Sequence, residues 1–223
     1  MRTHIAFILD MSGSMASVES ATREGAIGYF RALKKDTPDA RINLTIFDTV
    51  VEQWVVDVPA SEMKVQTTIK KWQPRGATAL YDAVGLTVSD LVKKVGEDDK
   101  VVVTVMTDGL ENSSVEWDRK KLAKLVGKLT KKGNWTFAYM GANVDAWAES
   151  GKMGFAKGNT MAYSASPDSV VAAMDSHAHA TVTLSNTSGL TSTGTLYKDA
   201  GVAQDVRDED DKGSTFAPRS RPE

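Results

Sequence analysis

Ile5-Ala-Phe-Ile-Leu-Asp10-Met-Ser12-Gly-Ser14 is an apolar run that ends on three short oxygen-bearing side chains at every second position. The apolar part reads as a buried strand. Asp and Ser reach only a short way from the backbone, so Asp10, Ser12 and Ser14 can share a ligand only if the chain itself curls around it. Gly13 allows that curl, because glycine adopts backbone angles that other residues avoid. Oxygen donors of this kind suit a hard divalent cation, and the stretch supplies half of such a site.

Further along the chain, apolar runs alternate with helical patterns. Strands are expected at 4–10, 42–47, 51–56, 100–107 and 134–140, with a short one near 159–163. The run Lys100-Val-Val-Val-Thr-Val-Met-Thr107 is nearly continuous and β-branched, as in a strand covered on both faces. Helices are expected over 17–34, over 79–95 (Leu80, Val84, Val88, Leu91 and Val95 on one face) and over 118–132 (Leu122, Leu125, Val126 and Leu129), with another starting at Pro167. Strand and helix in alternation imply an α/β fold, a doubly wound, mostly parallel sheet with helices on both faces. Only Asp48-Thr49-Val50 separates 42–47 from 51–56, too short for a parallel crossover, so this pair forms a hairpin with one antiparallel edge strand. The α/β domain is expected to span 1–184. Residues 185–223 are rich in Ser, Thr, Gly, Asp and Pro, and are expected to form a polar, acidic, disordered tail.

Composition narrows the function. Of 223 residues, 41% are apolar and 25% charged, and the net charge of −2 gives no reason to expect nucleic acid or an acidic membrane as partner. The chain has no cysteine, which excludes disulfides, thiolate nucleophiles and cysteine-ligated metals. The first strand begins within a few residues of Met1 with no leader-like segment before it, and no run of about 18 apolar residues occurs. A cytoplasmic protein is the expectation.

In an open α/β sheet ligands bind at the carboxyl ends of the strands. Asp10 lies at one such end, and Asp108, in Met106-Thr-Asp108-Gly109, at another. A third donor, Thr78, lies in Arg75-Gly76-Ala77-Thr78-Ala79-Leu80-Tyr81 at the expected N-cap of a helix, where a hydroxyl also has a purely local use. Together these segments resemble the von Willebrand factor A domain and its metal-ion-dependent adhesion site, Asp-x-Ser-x-Ser…Thr…Asp, over roughly residues 3–184. Asp108-Gly109-Leu110-Glu111-Asn112 is most similar to the intracellular bacterial and phage members. The resemblance implies that Ser12, Ser14 and Thr78 ligate Mg²⁺ or Mn²⁺, with Asp10 and Asp108 acting mainly through waters. One position would stay open for an acidic side chain of a partner.

Elementary chemistry points the same way. Neutral hydroxyls with two outlying carboxylates cancel the dication only partly, so it keeps the power to attract a carboxylate. The expected function is therefore a non-catalytic, metal-dependent protein-binding module whose partner presents Asp or Glu. Met11, Met15, Gly76, Leu110 and Glu111 are expected to form the contact rim, and Trp72 and Trp117 are candidates for either rim or core. A structural subunit of a bacterial or phage complex, with a metal that only stiffens loops, is the alternative. Phosphoryl-transfer chemistry is less well supported: Ser12 stands where a phosphatase needs a second Asp, and no Gly-x4-Gly-Lys-Ser/Thr string occurs. His4, His177 and His179 fall in no catalytic context, and neither an enzyme nor a small-molecule substrate is expected.

Overall fold

Along the first strand, β1 (Thr3–Asp10), side chains alternate between two cores. Ile5, Phe7 and Leu9 enter one, Ala6 and Ile8 the other, and all five are fully buried. The computed structural model describes residues 1–189 and 192–212. The remaining strands are β2 (Arg41–Phe47), β3 (Val51–Pro59), β4 (Lys100–Thr107), β5 (Trp135–Gly141), β6 (Thr160–Tyr163) and β7 (Asp205–Val206). They form one sheet in the order β3-β2-β1-β4-β5-β6-β7, parallel throughout except for the β2–β3 hairpin. This is the α/β architecture expected from the sequence, with its antiparallel strand at the edge.

The helices are α1 (Glu19–Asp36), α2 (Val65–Ile69), α3 (Leu80–Val92), α4 (Arg119–Thr130), α5 (Ala146–Lys152), α6 (Pro167–Asn186), α7 (Leu196–Asp199) and α8 (Glu209–Lys212). The core that takes Phe7 is closed by α1, α6 and α7, and the core that takes Ile8 by α3, α4 and α5. Among the described residues no helix is long and apolar enough to cross a membrane.

The expectation of a disordered tail from 185 is corrected for residues 192–212. Leu196 and Tyr197 are buried in the first core, and β7 pairs in parallel with β6. Two large side chains in the right place anchor this stretch despite its polar average, and several of its acids are paired. Asp205 pairs with Arg207, Glu209 with Lys212, and Asp211 accepts from the Ser164 hydroxyl. Residues 213–223 lie outside the described residues.

Two buried polar groups tie the last helices to the sheet. Lys100 opens β4 with no exposed surface, and its ammonium donates to the carbonyls of Leu184 (2.8 Å) and Thr187 (2.7 Å), the free C-terminal end of α6. His177, on α6, stacks on Tyr29 and shares hydrogen bonds with Thr104 of β4 (2.7 Å) and Tyr197 of α7 (3.1 Å). Burial lowers the His177 pKa from 6.5 to about 3. Burial also lowers that of His4, outweighing the nearby Asp99 and Asp57 carboxylates.

The unfolded chain therefore binds protons at these sites where the folded one does not, so the two histidines contribute stability that is lost as pH drops below 6.5. The carboxyls of Asp10 and Asp108, whose pKa burial raises, work in the opposite direction. From His177 alone the loss approaches about 1.4 kcal/mol per pH unit, or about 2 kcal/mol by pH 5. Urea unfolding at pH 7.5 and pH 5 in the wild type and in His177→Gln measures it, as the difference between their two pH dependences. An unchanged slope in that variant would exclude His177 as its cause.

Candidate metal centre at the strand ends

β1 and β4 are neighbours and parallel, so Asp10 and the Asp108 that follows Thr107 emerge side by side at the same end of the sheet. The order of the strands reverses here, with β2 on one side of β1 and β4 on the other, which opens a crevice at the carboxyl ends. Asp10 is fully buried. Its Oδ1 accepts from the Ser12 N–H (2.6 Å) and its Oδ2 from the Thr107 hydroxyl (2.5 Å). Burial pushes its pKa up to about 6, against the pull of those hydrogen bonds.

The hydroxyls of Ser12 and Ser14 lie 3.1 Å apart, and Ser14 donates to Asp108 Oδ1 at 2.6 Å. Asp108 Oδ2 is buried and has no hydrogen-bond partner among the described residues, and burial raises the pKa of this carboxyl too. Thr78 faces the same spot: a β-carbon added to Gly109 would lie 3.4 Å from Thr78 Oγ1 and 3.6 Å from Ser14 Oγ. The fold thus brings together all five residues singled out in the sequence.

Backbone bonds hold the three segments. Met11 N–H donates to the Phe47 carbonyl (2.7 Å), Arg75 N–H to the Met11 carbonyl (2.7 Å), and Gly13 N–H to the Gly76 carbonyl (3.2 Å). Gly76 has φ +68°, and a β-carbon there would meet Thr49 Oγ1 at 2.8 Å, so this crossing needs glycine. From beneath, the Trp72 indole N–H donates to the Asp10 carbonyl (3.2 Å).

Thr78 is not the N-cap of the helix that follows. That position is Ala79, with no side-chain cap, and the loop after β4 does the work. Glu111 accepts from Tyr81 N–H, and Ser114 Oγ accepts from Asp82 N–H. Asn112 and Thr78 exchange a reciprocal pair, Thr78 N–H to Asn112 Oδ1 (2.9 Å) and Asn112 N–H to the Thr78 carbonyl (3.1 Å). The Thr78 hydroxyl is therefore spared for the crevice.

The expected rim changes in composition. Met11 and Met15 are 2% and 0% exposed, because the chain after Ser12 enters a 3₁₀ turn (Gly13–Val18) that points Met15 into the core. Glu111 spends both oxygens on backbone N–H groups and the Ser114 hydroxyl. Trp72 is core. Of the residues expected on the rim, Leu110 (52% exposed) and Gly76 lie at the surface.

One structural residue escaped the sequence reading. Asp82, buried in the first turn of α3, accepts from the N–H groups of Val115, Glu116 and Trp117 and pins the loop to the helix. An acid in the first turn of that helix, between Leu80 and Val84, was the available signal. Trp117 fills the space over Gly85, where a β-carbon would come within 2.1 Å of its ring. Gly85→Leu is expected to destabilise by about 1–3 kcal/mol through overpacking. Urea unfolding followed by tryptophan fluorescence tests this, and an unchanged midpoint would contradict it.

Among the described residues no three His, Cys, Asp or Glu side chains converge as metal ligands. The donors are instead two carboxylates and three hydroxyls, a set that fits Mg²⁺ or Mn²⁺, which take oxygen ligands and keep waters. An unpartnered, buried carboxylate oxygen beside three hydroxyls is the arrangement a dication would complete.

No protein-family model and no curated protein matches the chain. Solved structures do. The von Willebrand factor type A protein from Catenulispora acidiphila superposes with a TM-score of 0.59 at 12% identity, covering 82% of this chain and 43% of that one. The pilus adhesin SpaC from Lactobacillus rhamnosus GG gives 0.66 at 12% identity, over 82% of this chain and 31% of that one. The SpRpn10 VWA domain gives 0.61 at 12% identity, over 79% of this chain and 95% of that one. The chain thus spans less than half of the first two proteins and nearly all of the isolated domain. Its fold is that of the von Willebrand factor A domain.

Proposed function

We propose that the chain is a non-catalytic protein-binding module whose partner supplies a carboxylate to a divalent metal at the ends of β1 and β4. The observation that carries this reading is Asp108 Oδ2, buried and unpartnered next to the hydroxyls of Ser12, Ser14 and Thr78. Ser12, Ser14 and Thr78 would hold Mg²⁺ or Mn²⁺, with Asp10 and Asp108 balancing its charge. When bound, the ion supplies an electrophilic position for an acidic side chain. The protein's own part is to hold these groups rigid through the crossings at Met11, Gly13 and Asn112, and to present Leu110 beside them.

Similarity of fold to an adhesin and to other von Willebrand factor A domains supports a role in protein interaction. An assembly subunit in which the ion only stiffens loops is less well supported. Hydrogen bonds from Thr107 to Asp10 and from Ser14 to Asp108 already tie those loops together. Pull-downs in Mg²⁺ and in EDTA, with identification of the difference, test the proposal. A partner retained equally in EDTA would refute the metal's role, and Mg²⁺-raised stability without Mg²⁺-dependent capture would favour the assembly reading.

A further inference from the structure

β1 and β6 run parallel, so the helices that follow them, α1 and α6, both start at the metal-site end of the sheet. Toward each other they pack closely: a β-carbon at Gly25 would lie 2.7 Å from Met174 Cγ. Over their first turns and on to Glu24 and Asp175, they leave an open groove of about 500 Å³. Its floor is apolar, made by Val18, Ala21 and Val171. Three carboxylates line it, those of Glu24, Asp168 and Asp175, and all three residues are exposed. None has a hydrogen bond or ion pair with a described residue, and the neighbouring Arg23 is turned away onto Glu19 and the Trp72 carbonyl. Of the three carboxylates, only that of Asp168 lies in the first turn of its helix, so the helix dipoles offset little of this charge and the groove stays strongly negative.

We propose that this groove receives a Lys or Arg side chain from the same partner segment that gives its carboxylate to the metal site; the inference rests on the function proposed above. An apolar floor under an acidic rim matches the aliphatic stem and cationic head of those two residues and of no other side chain. The position is also right. Only the 3₁₀ turn Gly13–Val18 separates Ser14 from the groove, roughly 6–8 Å at about 2 Å per residue. An extended segment covers that in two or three residues, at about 3.3 Å each. The partner motif is therefore an acid and a base about two to four positions apart, and the base is what selects among the many proteins that can offer a carboxylate.

A random linear peptide library, selected on the full chain in Mg²⁺ and in EDTA, tests both layers separately. Enrichment of an acid with Lys or Arg at that spacing, only in Mg²⁺, is the expected result. Replacing the base by Ala in an enriched peptide should weaken binding about tenfold by fluorescence anisotropy, the sum of a few partly exposed ion pairs. The variant E24Q/D168N/D175N, altered only at exposed and unbonded carboxylates, should lose that same factor and bind the Ala peptide as the wild type does. Mg²⁺-dependent enrichment of acids with no accompanying base, with acidic or with purely apolar neighbours, overturns the groove and leaves the metal function standing. So does an undiminished preference for the base in the triple variant, provided its melting temperature shows it folded. Absence of any Mg²⁺-dependent enrichment overturns the metal function, and the groove proposal with it.

Discussion

Asp10→Ala is expected to abolish divalent-metal binding, and with it all metal-dependent capture of a partner. Asp10 does two jobs at once. It carries one of the two negative charges beneath the site, and its oxygens fix the Ser12 backbone and the Thr107 hydroxyl, so its loss removes charge and geometry together. Ser12→Ala removes one donor oxygen and keeps the charge, and should weaken binding less. Titration calorimetry with Mn²⁺ reads both. The wild type should also gain stability with metal, by about 1.4 kcal/mol at ten times the dissociation constant and about 2.7 kcal/mol at a hundred times. Asp10→Ala should show no such gain. Equal Mn²⁺ affinity in the variant and the wild type would place the metal elsewhere.

Lys100→Met should cost about 3–5 kcal/mol, the largest loss of stability expected from a single polar side chain here. Methionine keeps the unbranched stem and its packing but has no ammonium. The Thr187 carbonyl would then be left without its donor, and the Leu184 carbonyl with only the long bond from Thr187 N–H (3.3 Å), at the end of a helix that closes one whole core. Burial lowers the Lys100 pKa, but the ammonium meets carbonyl oxygens from three residues, Ser185 included at 3.5 Å, and these stabilise its charged form. Lys100→Arg should not rescue fully, because a planar fork does not fit a socket shaped for a point donor. Urea denaturation gives the measurement. A midpoint shift worth under about 1 kcal/mol would show that water replaces the ammonium, contrary to this account.

The long strands and helices were legible because each carries its signal in many residues. β4 is apolar almost throughout, and α3 repeats apolar positions over more than three turns. α2 and α5 were not, since five and seven residues are too few to show a period. The site was legible because short donors can meet only where the backbone brings them. Its surroundings were not. Met11 and Met15 alternate with polar motif residues as if on a strand, but the 3₁₀ turn breaks that alternation and buries both. Glu111 looks like a free acid on a rim until the backbone N–H groups it serves are seen. Leu196 and Tyr197 vanish in an average over a polar stretch, although tertiary contact makes them part of the core.

Those two residues bear on the order in which the protein can be made. Synthesis delivers β1, α1 and β4 first, and domains fold as units while the chain emerges at about 5–20 residues per second. Here, however, the Tyr197 hydroxyl that bonds His177 arrives only after the buried residues of β1, α1 and α6 in that core have been made. A nascent chain halted before it would hold an imidazole with one partner missing and an open apolar seam beside α6. The short helix α7 therefore acts as a closing latch, and the interval before it is made is when this chain is most exposed to aggregation or to chaperones.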